Sequence, residues 1–299
     1  MPTKQTLRGW GLVVAWATGV AGGGAAGLAQ ATCLDEAQVQ TWLAHYEAKT
    51  PAPNPPADFS AADAACTRGR LLAAMEAKGA RPVGYKAGLT NPAVQKRFQT
   101  DQPVWGRLYA QMLLRDGVSL PAAFGARPLY EADLLVRVKD AAINQAQTPM
   151  KVLLAIDQIA PFIELPDLLV QAPPQLNGAG VAAINVGARL GVVGTPLAVP
   201  GPRAERYALL DSLGRMQVVV SDGTGAERAR GQGSDILEHP LNAVSWLAQA
   251  LAKEGRALQP GDWVSLGSFS PLMPPKSGET IRVRYDGVPG LQPVSVRFE

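Results

Sequence analysis

The sequence is poor in the residues that build nucleophilic triads and thiolate metal sites. Its 299 residues include only two histidines and two cysteines. With so few histidines, a Ser-His-Asp triad has little support, and neither cysteine has a histidine or second cysteine at metal-ligand spacing. The sequence also lacks a glycine-rich loop with the spacing that holds a phosphate group. These absences disfavour serine hydrolases, zinc proteins and phosphate-loop enzymes.

An excess of charge of one sign is also missing. The chain has 28 Lys and Arg against 25 Asp and Glu, a formal net charge of +3. This balance gives no electrostatic case for binding nucleic acid. What is present is a hydrophobic fraction of 47% with 18% charged residues, which excludes a disordered chain and suffices for a sizeable core.

Residues 1–31 have the pattern of a secretory signal peptide. Lys4 and Arg8 precede an uncharged stretch over 9–28, and Ala29-Gln30-Ala31 is a small-x-small ending. This pattern predicts cleavage after residue 31 and a periplasmic or secreted protein, with no membrane association after cleavage. The alternative, an uncleaved membrane anchor, is disfavoured because residues 21–26 are only weakly apolar.

The two cysteines, Cys33 and Cys66, follow this leader. In an oxidising compartment they could pair and close a loop over the N-terminal helices. The alternative is two unpaired thiols, and the sequence alone leaves both open.

Helical patterns occupy the start of the remaining chain, and strand patterns follow. Apolar residues at helical spacing predict helices over 34–49 and 61–77, with the proline-rich segment 51–56 between them. We interpret 32–80 as an N-terminal helical lobe and 81–299 as the catalytic core. In the core, we predict strands over 83–88, 129–139, 160–165, 216–221, 263–266 and 281–285, and a helix over 240–253. Helices at one end with mixed strands after them predict an α+β fold.

Three acidic residues lie in apolar strand patterns. Glu131 and Asp133 are two residues apart, so in a strand they point to the same face, and Glu164 lies in another apolar segment. Neighbouring carboxylates repel each other unless a cation or a shared proton offsets their charge. Three converging carboxylates would suit Mg²⁺ or Mn²⁺. The alternative is an exposed strand face for the pair and a chance edge position for Glu164.

Three other polar residues have less specific patterns. Lys86 is the one charged residue over 82–95, and it could pair with a substrate carboxylate or be an ordinary solvent-facing amine. His239 precedes a predicted helix, where local hydrogen bonding is favoured over a general-base role. Ser268 lacks the strained-turn pattern of a nucleophilic serine.

Several short motifs occur in a specific combination. Residues 84–90 read Gly-Tyr-Lys-Ala-Gly-Leu-Thr, and residues 128–133 match a Pro-x-x-Glu-Ala-Glu pattern with Asp133 in place of the second glutamate. Together the motifs resemble the 2-keto-4-pentenoate hydratase family, within the fumarylacetoacetate-hydrolase-like group. The other segments that carry the resemblance are 101–106, 162–164, 238–244, 261–262, 267–269 and 274–278.

The resemblance implies a fold and a metal. The fold would be a mixed sheet rolled into a barrel-like core, as in the C-terminal part of fumarylacetoacetase, in a homo-oligomer. Glu131, Asp133 and Glu164 would bind Mg²⁺ or Mn²⁺. Since aspartate is one methylene shorter than glutamate, Asp133 would bind through a water or draw the ion closer.

The resemblance also implies a substrate and a reaction. Lys86 would be catalytic and would pair with the carboxylate of a small 2-oxo acid, with Leu89 and Ser268 also in the substrate site. The metal would stabilise negative charge on the 2-oxygen while water adds to a 2-oxo-4-enoic acid, as in aromatic catabolism.

The sequence departs from the family pattern at several polar positions. Val104 stands where the hydratases commonly carry an acid, which is more like the decarboxylase branch, whereas Ser268 and Phe269 are more like the hydratase branch. Residues 184–188 lack the acid and both serines of the corresponding family segment. Two alternatives therefore stay open beside a hydratase: a decarboxylase or acylpyruvate-type hydrolase, and an exported, non-catalytic protein that binds a small oxo acid.

Overall fold

The computed structural model describes residues 1–3 and 32–299, and residues 32–299 lie in one compact unit. The predicted signal peptide lies almost wholly in 4–31, outside the described residues. No helix in the described part of the chain has both the length and the apolar character needed to cross a membrane.

The N-terminal helices form where the apolar periodicity predicts them. Helix α1 (Glu36–Ala48) and helix α2 (Ala61–Ala77) each begin with a capping box, at Asp35 and at Ser60. In a capping box, two backbone N–H groups that the helix leaves unpaired each gain a side-chain acceptor. The buried apolar side chains of the two helices are Val39, Trp42, Leu43, Ala64, Leu71, Leu72 and Met75.

A disulfide closes this N-terminal region. Cys33 and Cys66 are bonded, with their Cα atoms 5.6 Å apart and a sequence separation of 33. The bond attaches the segment before α1 to the first half of α2, so the loop that it closes contains all of α1.

The rest of the chain consists of strands with short helices between them. The first half contains β1 (Pro82–Gly88), α3 (Pro92–Arg97), β2 (Val104–Tyr109), β3 (Leu113–Arg115), β4 (Val118–Leu120), β5 (Glu131–Val138), α4 (Pro149–Leu154) and β6 (Ile156–Leu165). The second half contains α5 (Gly178–Ala183), β7 (Leu190–Val193), β8 (Leu197–Ala198), α6 (Arg203–Arg215), β9 (Gln217–Asp222), β10 (Glu227–Gln232), α7 (Asn242–Lys253), β11 (Trp263–Ser265), β12 (Thr280–Asp286) and β13 (Val294–Phe298). The α+β class predicted from the sequence is confirmed.

These strands form two sheets in the described chain. The larger has the order β2-β1-β11-β5-β6-β7-β3, with β8 pairing to β6, and the smaller has the order β10-β9-β12-β13-β4. The larger sheet is mixed, because β1 runs parallel to β11 while β11, β5 and β6 are successively antiparallel. The smaller sheet is also mixed, because β13 runs parallel to β4 and antiparallel to β12. The strands β5 and β6 are buried along nearly their whole length, which explains their almost continuous apolar sequences.

A tyrosine attaches the smaller sheet to the centre of the larger one. The hydroxyl of Tyr285, on β12, accepts a hydrogen bond from the Phe162 N–H at 3.0 Å and also contacts the backbone carbonyl of Asp133. The contact lies beside the predicted acidic residues of β5 and β6. Packing between the sheets therefore fixes the backbone that carries these acids.

A partly buried ion pair attaches the helices to the core. The Arg68 guanidinium on α2 binds the Glu254 carboxylate after α7 at 2.6 and 2.8 Å and lies 3.6 Å from the Trp105 ring centroid. The Trp105 indole N–H donates to the same carboxylate at 2.9 Å. These contacts place the helical lobe and the core in one unit. The domain boundary at residue 80 stays a prediction.

Candidate active site

The pairing of β5 with β6 brings two of the predicted acids together. Glu131 lies directly opposite Glu164 in the antiparallel register, and Asp133 lies opposite Phe162. Directly opposed residues of an antiparallel pair are close neighbours, so the two glutamates share one end of the strand pair. The sequence predicts that these acids lie in strands, but strand patterns alone do not determine the register that places them face to face.

The curl of the larger sheet adds a lysine to this pair. Lys86 is on β1, which is separated from β6 by β11 and β5. Its ammonium nevertheless donates a hydrogen bond to Glu164 Oε1 and a second one, at 3.0 Å, to the Val186 carbonyl. A flat sheet could not make this contact across two intervening strands, so the sheet is curled into a half-barrel around the site.

The Lys86–Glu164 ion pair is almost completely buried, with side-chain exposures of 3% and 2%. Buried charges are costly unless they are paired, and this pair compensates only one of the three acids nearby. The second oxygen of Glu164, Oε2, is buried and has no hydrogen-bond partner among the described residues. This oxygen is therefore available to a ligand.

Of the three acids Glu131, Asp133 and Glu164, Glu131 is the one that lines the adjacent cavity. Burial raises the pKa of its carboxyl well above the usual value, and repulsion from Glu164 adds to the rise, while Lys86 opposes it. A carboxylate with this environment gains stability from a nearby cation. The electrostatics at Glu131 thus favour binding of a proton or a metal ion.

Asp133 has a different environment from the two glutamates. Its Oδ1 accepts hydrogen bonds from the backbone N–H groups of Leu266 and Gly267, both at 3.1 Å, and its Oδ2 accepts one from the Ser265 hydroxyl. Burial and repulsion from Glu164 raise the Asp133 pKa to about 8, and the Ser265 bond opposes that rise. The side chain therefore attaches β5 to the end of β11, a role that no sequence motif indicated.

Glu131 and Glu164 are two acids whose arrangement suits a divalent cation. No group of three or more acidic, histidine or cysteine side chains in the described part of the chain has the arrangement of a metal site. Glu131 and Glu164, however, face each other and offer an unpartnered oxygen. Proteins commonly hold Mg²⁺ through one or two carboxylates, with waters and substrate completing its six ligands. Direct ligation by Asp133 stays a prediction.

A cavity of about 330 Å³ opens beside this cluster. Its wall includes Lys86 and Glu131, together with two other residues predicted in the substrate site, Leu89 and Ser268. The apolar residues of its wall include Leu89, Val94, Phe98, Leu168, Val181, Val186, Phe269 and Leu272. The wall also carries the charged residues Arg97, Arg230 and Asp235. A mostly apolar cavity with a small number of charged groups is the usual form of a small-molecule site.

The hydroxyl-bearing residues Thr90, Ser268 and Ser270 also line this cavity. The Ser268 hydroxyl bonds locally, donating to the Ser270 carbonyl at 2.5 Å. The Thr90 hydroxyl is buried and has no partner among the described residues. Thr90 was not among the predicted site residues, although it ends the Gly-Tyr-Lys-Ala-Gly-Leu-Thr motif. The Thr90 hydroxyl can lie here because residue 267 is a glycine: a Cβ at that position would be 2.1 Å from the Thr90 oxygen.

His239 lies outside the cavity wall, as its helix-entry interpretation requires. Its Nε2 lies 3.1 Å from the Leu210 carbonyl, and its Nδ1 accepts a hydrogen bond from the Leu241 N–H at 3.2 Å. Both ring nitrogens are therefore used locally. Burial lowers the His239 pKa, because the charged imidazolium loses hydration there.

Comparison with known proteins identifies relatives of this chain in sequence and in structure. No family model matches the sequence. The chain is 33% identical to 2-keto-4-pentenoate hydratase 2 of Dechloromonas aromatica (strain RCB) over 71% of this chain and 77% of the relative. It is 30% identical to the 2-keto-4-pentenoate hydratase of Burkholderia vietnamiensis (strain G4 / LMG 22486) over 70% of this chain and 76% of the relative. The structure matches 4-oxalocrotonate decarboxylase from Pseudomonas putida G7, complexed with magnesium and adipate, with a TM-score of 0.76 and 24% identity, covering 90% of this chain and 100% of the other.

Proposed function

This chain belongs to the 2-keto-4-pentenoate hydratase family, and on that premise we propose that it adds water to a 2-oxo-4-enoic acid with the help of a divalent cation. The observation that carries the proposal is the cluster of Lys86, Glu131 and Glu164. Lys86 and Glu131 line one mostly apolar cavity, and Glu164 contacts Lys86 and lies opposite Glu131. A 2-oxo acid has a charged end and a hydrocarbon end, and the cavity offers a matching environment for each.

Glu131 and Glu164 would hold Mg²⁺ or Mn²⁺, and Asp133 would add negative charge from its position on β5. A bound divalent cation supplies Lewis-acid stabilisation for negative charge that develops on the 2-oxygen of the substrate. The magnesium in the structurally similar 4-oxalocrotonate decarboxylase supports this cofactor class. The unpartnered Oε2 of Glu164 supports it from this chain's own residues.

Lys86 would bind the substrate carboxylate. An ammonium has three N–H donors, and in this chain two of them are directed to Glu164 and to the Val186 carbonyl. The third is left for a ligand, and the low exposure of Lys86 strengthens any charge-assisted hydrogen bond that it makes. The Thr90 and Ser268 hydroxyls would orient water or substrate oxygens within the same cavity.

Ultraviolet absorbance tests this function directly. A 2-hydroxydienoic acid absorbs through its conjugated system, so its hydration is followed as a loss of that absorbance. We expect Mg²⁺-dependent loss with the wild-type chain and none with Lys86→Ala. Tight binding of the dienoic acid without turnover would instead identify a non-catalytic oxo-acid binding protein.

Decarboxylation is the second candidate reaction. It is favoured by Val104, which offers no acidic group at its position on β2, close to Gly88 in the cavity wall. Release of CO₂ from a 4-oxalocrotonate-type diacid, with no 4-hydroxy product, would select this reaction over hydration.

We also propose that the chain is exported and assembles into a homo-oligomer. The leader-like residues 1–31 and the Cys33–Cys66 disulfide support export, since disulfides persist in oxidising compartments. Mass spectrometry of the protein from a periplasmic extract should give a mature chain that begins at Thr32. Light scattering on the purified protein would measure its oligomeric state.

A further inference from the structure

Three consecutive residues beside Lys86 have left-handed backbone conformations. They are Asn185 (φ 56°), Val186 (φ 55°) and Gly187 (φ 63°). Glycine adopts this conformation freely and asparagine tolerates it, but for a β-branched residue such as valine it is a true outlier. Strained backbone of this kind persists only where the surroundings hold it, and it is most frequent at functional sites.

The strained Val186 is the residue whose carbonyl accepts the 3.0 Å hydrogen bond from Lys86. The bond is buried, as are both residues. It fixes the direction of one ammonium N–H, while the Glu164 contact fixes another. The orientation of the remaining N–H therefore depends on where the Val186 carbonyl is held.

Asn185 holds this segment against β2. Its side-chain oxygen accepts a hydrogen bond from the Arg107 N–H at 2.6 Å, and its side-chain amide donates to the Arg107 carbonyl at 3.1 Å. Asn185 is itself 2% exposed, and both bonds are at least partly shielded from water. One amide side chain thereby pairs with both polar groups of a single strand residue, in the manner of a neighbouring strand.

Two glycines permit this close approach. A Cβ on Gly106 would lie 2.6 Å from the Asn185 carbonyl oxygen, and a Cβ on Gly88 would lie 2.4 Å from Val186 Cγ1. Both distances are too short for any other residue without movement of the backbone. The contact therefore depends on residues from three stretches of the sequence: Gly88 on β1, Gly106 on β2 and the 185–187 segment.

We propose that Asn185 is a positioning residue for substrate binding: by fixing residues 185–187 on β2, it aims the Val186 carbonyl at Lys86 and so orients the ammonium toward the substrate carboxylate. This inference rests on the proposed function, because it assumes that Lys86 binds that carboxylate. It assigns a role to a segment in which the sequence indicated only lost polar groups.

The chain contains matched controls for this side chain. Asn144 pairs with both backbone groups of Leu258, at 2.9 and 2.9 Å, and Asn54 pairs in the same way with Ala172, at 2.9 and 2.9 Å. Neither asparagine contacts Lys86 or lines the cavity. Removing either one deletes the same two kinds of hydrogen bond at a distance from the site.

The test compares oxalate binding by Asn185→Gly, Asn144→Gly and the wild type, by calorimetry with excess Mg²⁺. Glycine keeps the left-handed backbone accessible and removes only the side chain. We expect Asn185→Gly to bind oxalate about tenfold more weakly, near 1.4 kcal/mol, and Asn144→Gly to bind as the wild type does. Both variants should lose thermal stability to a similar extent, so a purely structural role predicts equal oxalate affinities.

A second variant serves if Asn185→Gly fails to fold. Asn185→Asp keeps the acceptor for the Arg107 N–H and loses the donor to the Arg107 carbonyl, so its oxalate affinity should be intermediate. Wild-type affinity in both Asn185 variants would overturn the positioning role. A wild-type protein that does not bind oxalate would instead overturn the proposed function, and this inference with it.

Discussion

At the scale of single residues, the site is governed by an imbalance of buried charge. Lys86 pairs with Glu164, while Glu131 lies opposite Glu164 and the Asp133 carboxylate lies two residues further along β5. Asp133 is stabilised by three neutral donors of β11 and the residues after it, rather than by a cation. The glutamate pair has no such set of donors, so a divalent cation at this pair would offset the largest uncompensated charge.

Glu131→Gln should weaken Mg²⁺ binding tenfold or more, on the order of 1.4 kcal/mol, because it removes a charged ligand while keeping the side-chain size. Calorimetric titration of Mg²⁺ measures this affinity. Glu47→Gln is the control, since Glu47 is on α1 and pairs there with Lys78 at 2.7 Å. Unchanged Mg²⁺ affinity in Glu131→Gln would remove this residue from the metal site.

Asp133→Asn separates a two-carboxylate site from a three-carboxylate one. Its amide oxygen can still accept the backbone bonds from Leu266 and Gly267. We expect a smaller loss of Mg²⁺ affinity than in Glu131→Gln, because the two glutamates remain. A loss equal to that of Glu131→Gln would establish Asp133 as a ligand of equal weight.

At the scale of elements, two segments outside the charged cluster make contacts that bear on activity and on stability. Strand β2 carries Val104 next to Gly88 and also receives the Asn185 side chain at Arg107. The loop before α7 carries His239, which bonds to α6 through Leu210. Both elements can be tested by substitutions that leave the charged cluster in place.

Val104→Asp should raise the rate of hydration, since it places an acid at the position where the related hydratases commonly have one. Val104 is half-buried and its Cγ2 lies 3.8 Å from a Cβ built on Gly88. Absorbance of a 2-hydroxydienoic acid measures the rate. Val104→Asn controls for polarity without charge. No gain in Val104→Asp would mean that this departure does not limit hydration.

Stability should fall as the pH decreases below about 6.5, through His239. Its pKa is lowered in the folded chain, so the unfolded chain binds a proton at a pH at which the folded chain does not. The stability that the neutral ring contributes is thus present above the unfolded value of 6.5 and is lost at lower pH. Protonation would also turn Nδ1 from an acceptor into a donor. It would then face the Leu241 N–H, which is a donor as well, and the hydrogen bond between them would be lost.

Urea unfolding between pH 5 and pH 7 measures this loss of stability. His239→Gln should reduce the slope of stability against pH. The half-buried His45, on α1, is the control for the loss of a histidine. Identical pH slopes for His239→Gln and the wild type would exclude His239 as the source.

At the scale of the whole molecule, local patterns predicted the elements but not their assembly. Apolar spacing and capping residues account for the helices near 36–48 and 61–77. Charges in apolar strand patterns make Lys86, Glu131 and Glu164 stand out as candidate site residues. The curl that brings β1 to β6 depends on contacts between distant segments. The same is true of the Asp133 contacts with 265–267 and of the left-handed run at 185–187, since neither has a local sequence signal.

The Cys33–Cys66 disulfide affects the stability of the whole molecule. Its loop of 33 residues corresponds to a stabilisation of roughly 3–4 kcal/mol, if the bond acts by restricting the unfolded chain. The double variant Cys33→Ser/Cys66→Ser should lose about this much in urea unfolding. A reductant should destabilise the wild type and leave the double variant unaffected, and equal responses would argue against a disulfide in the purified protein.

The most direct test of the central claim is a crystal structure of the wild-type chain with Mn²⁺ and oxalate, in which anomalous scattering locates the ion. We expect one ion bound by the Glu131 and Glu164 carboxylates, with oxygen distances of about 2.1 Å, and oxalate between that ion and the Lys86 ammonium. An ion bound elsewhere, or oxalate bound without contact to Lys86, would contradict the assignment of this cluster as the active site.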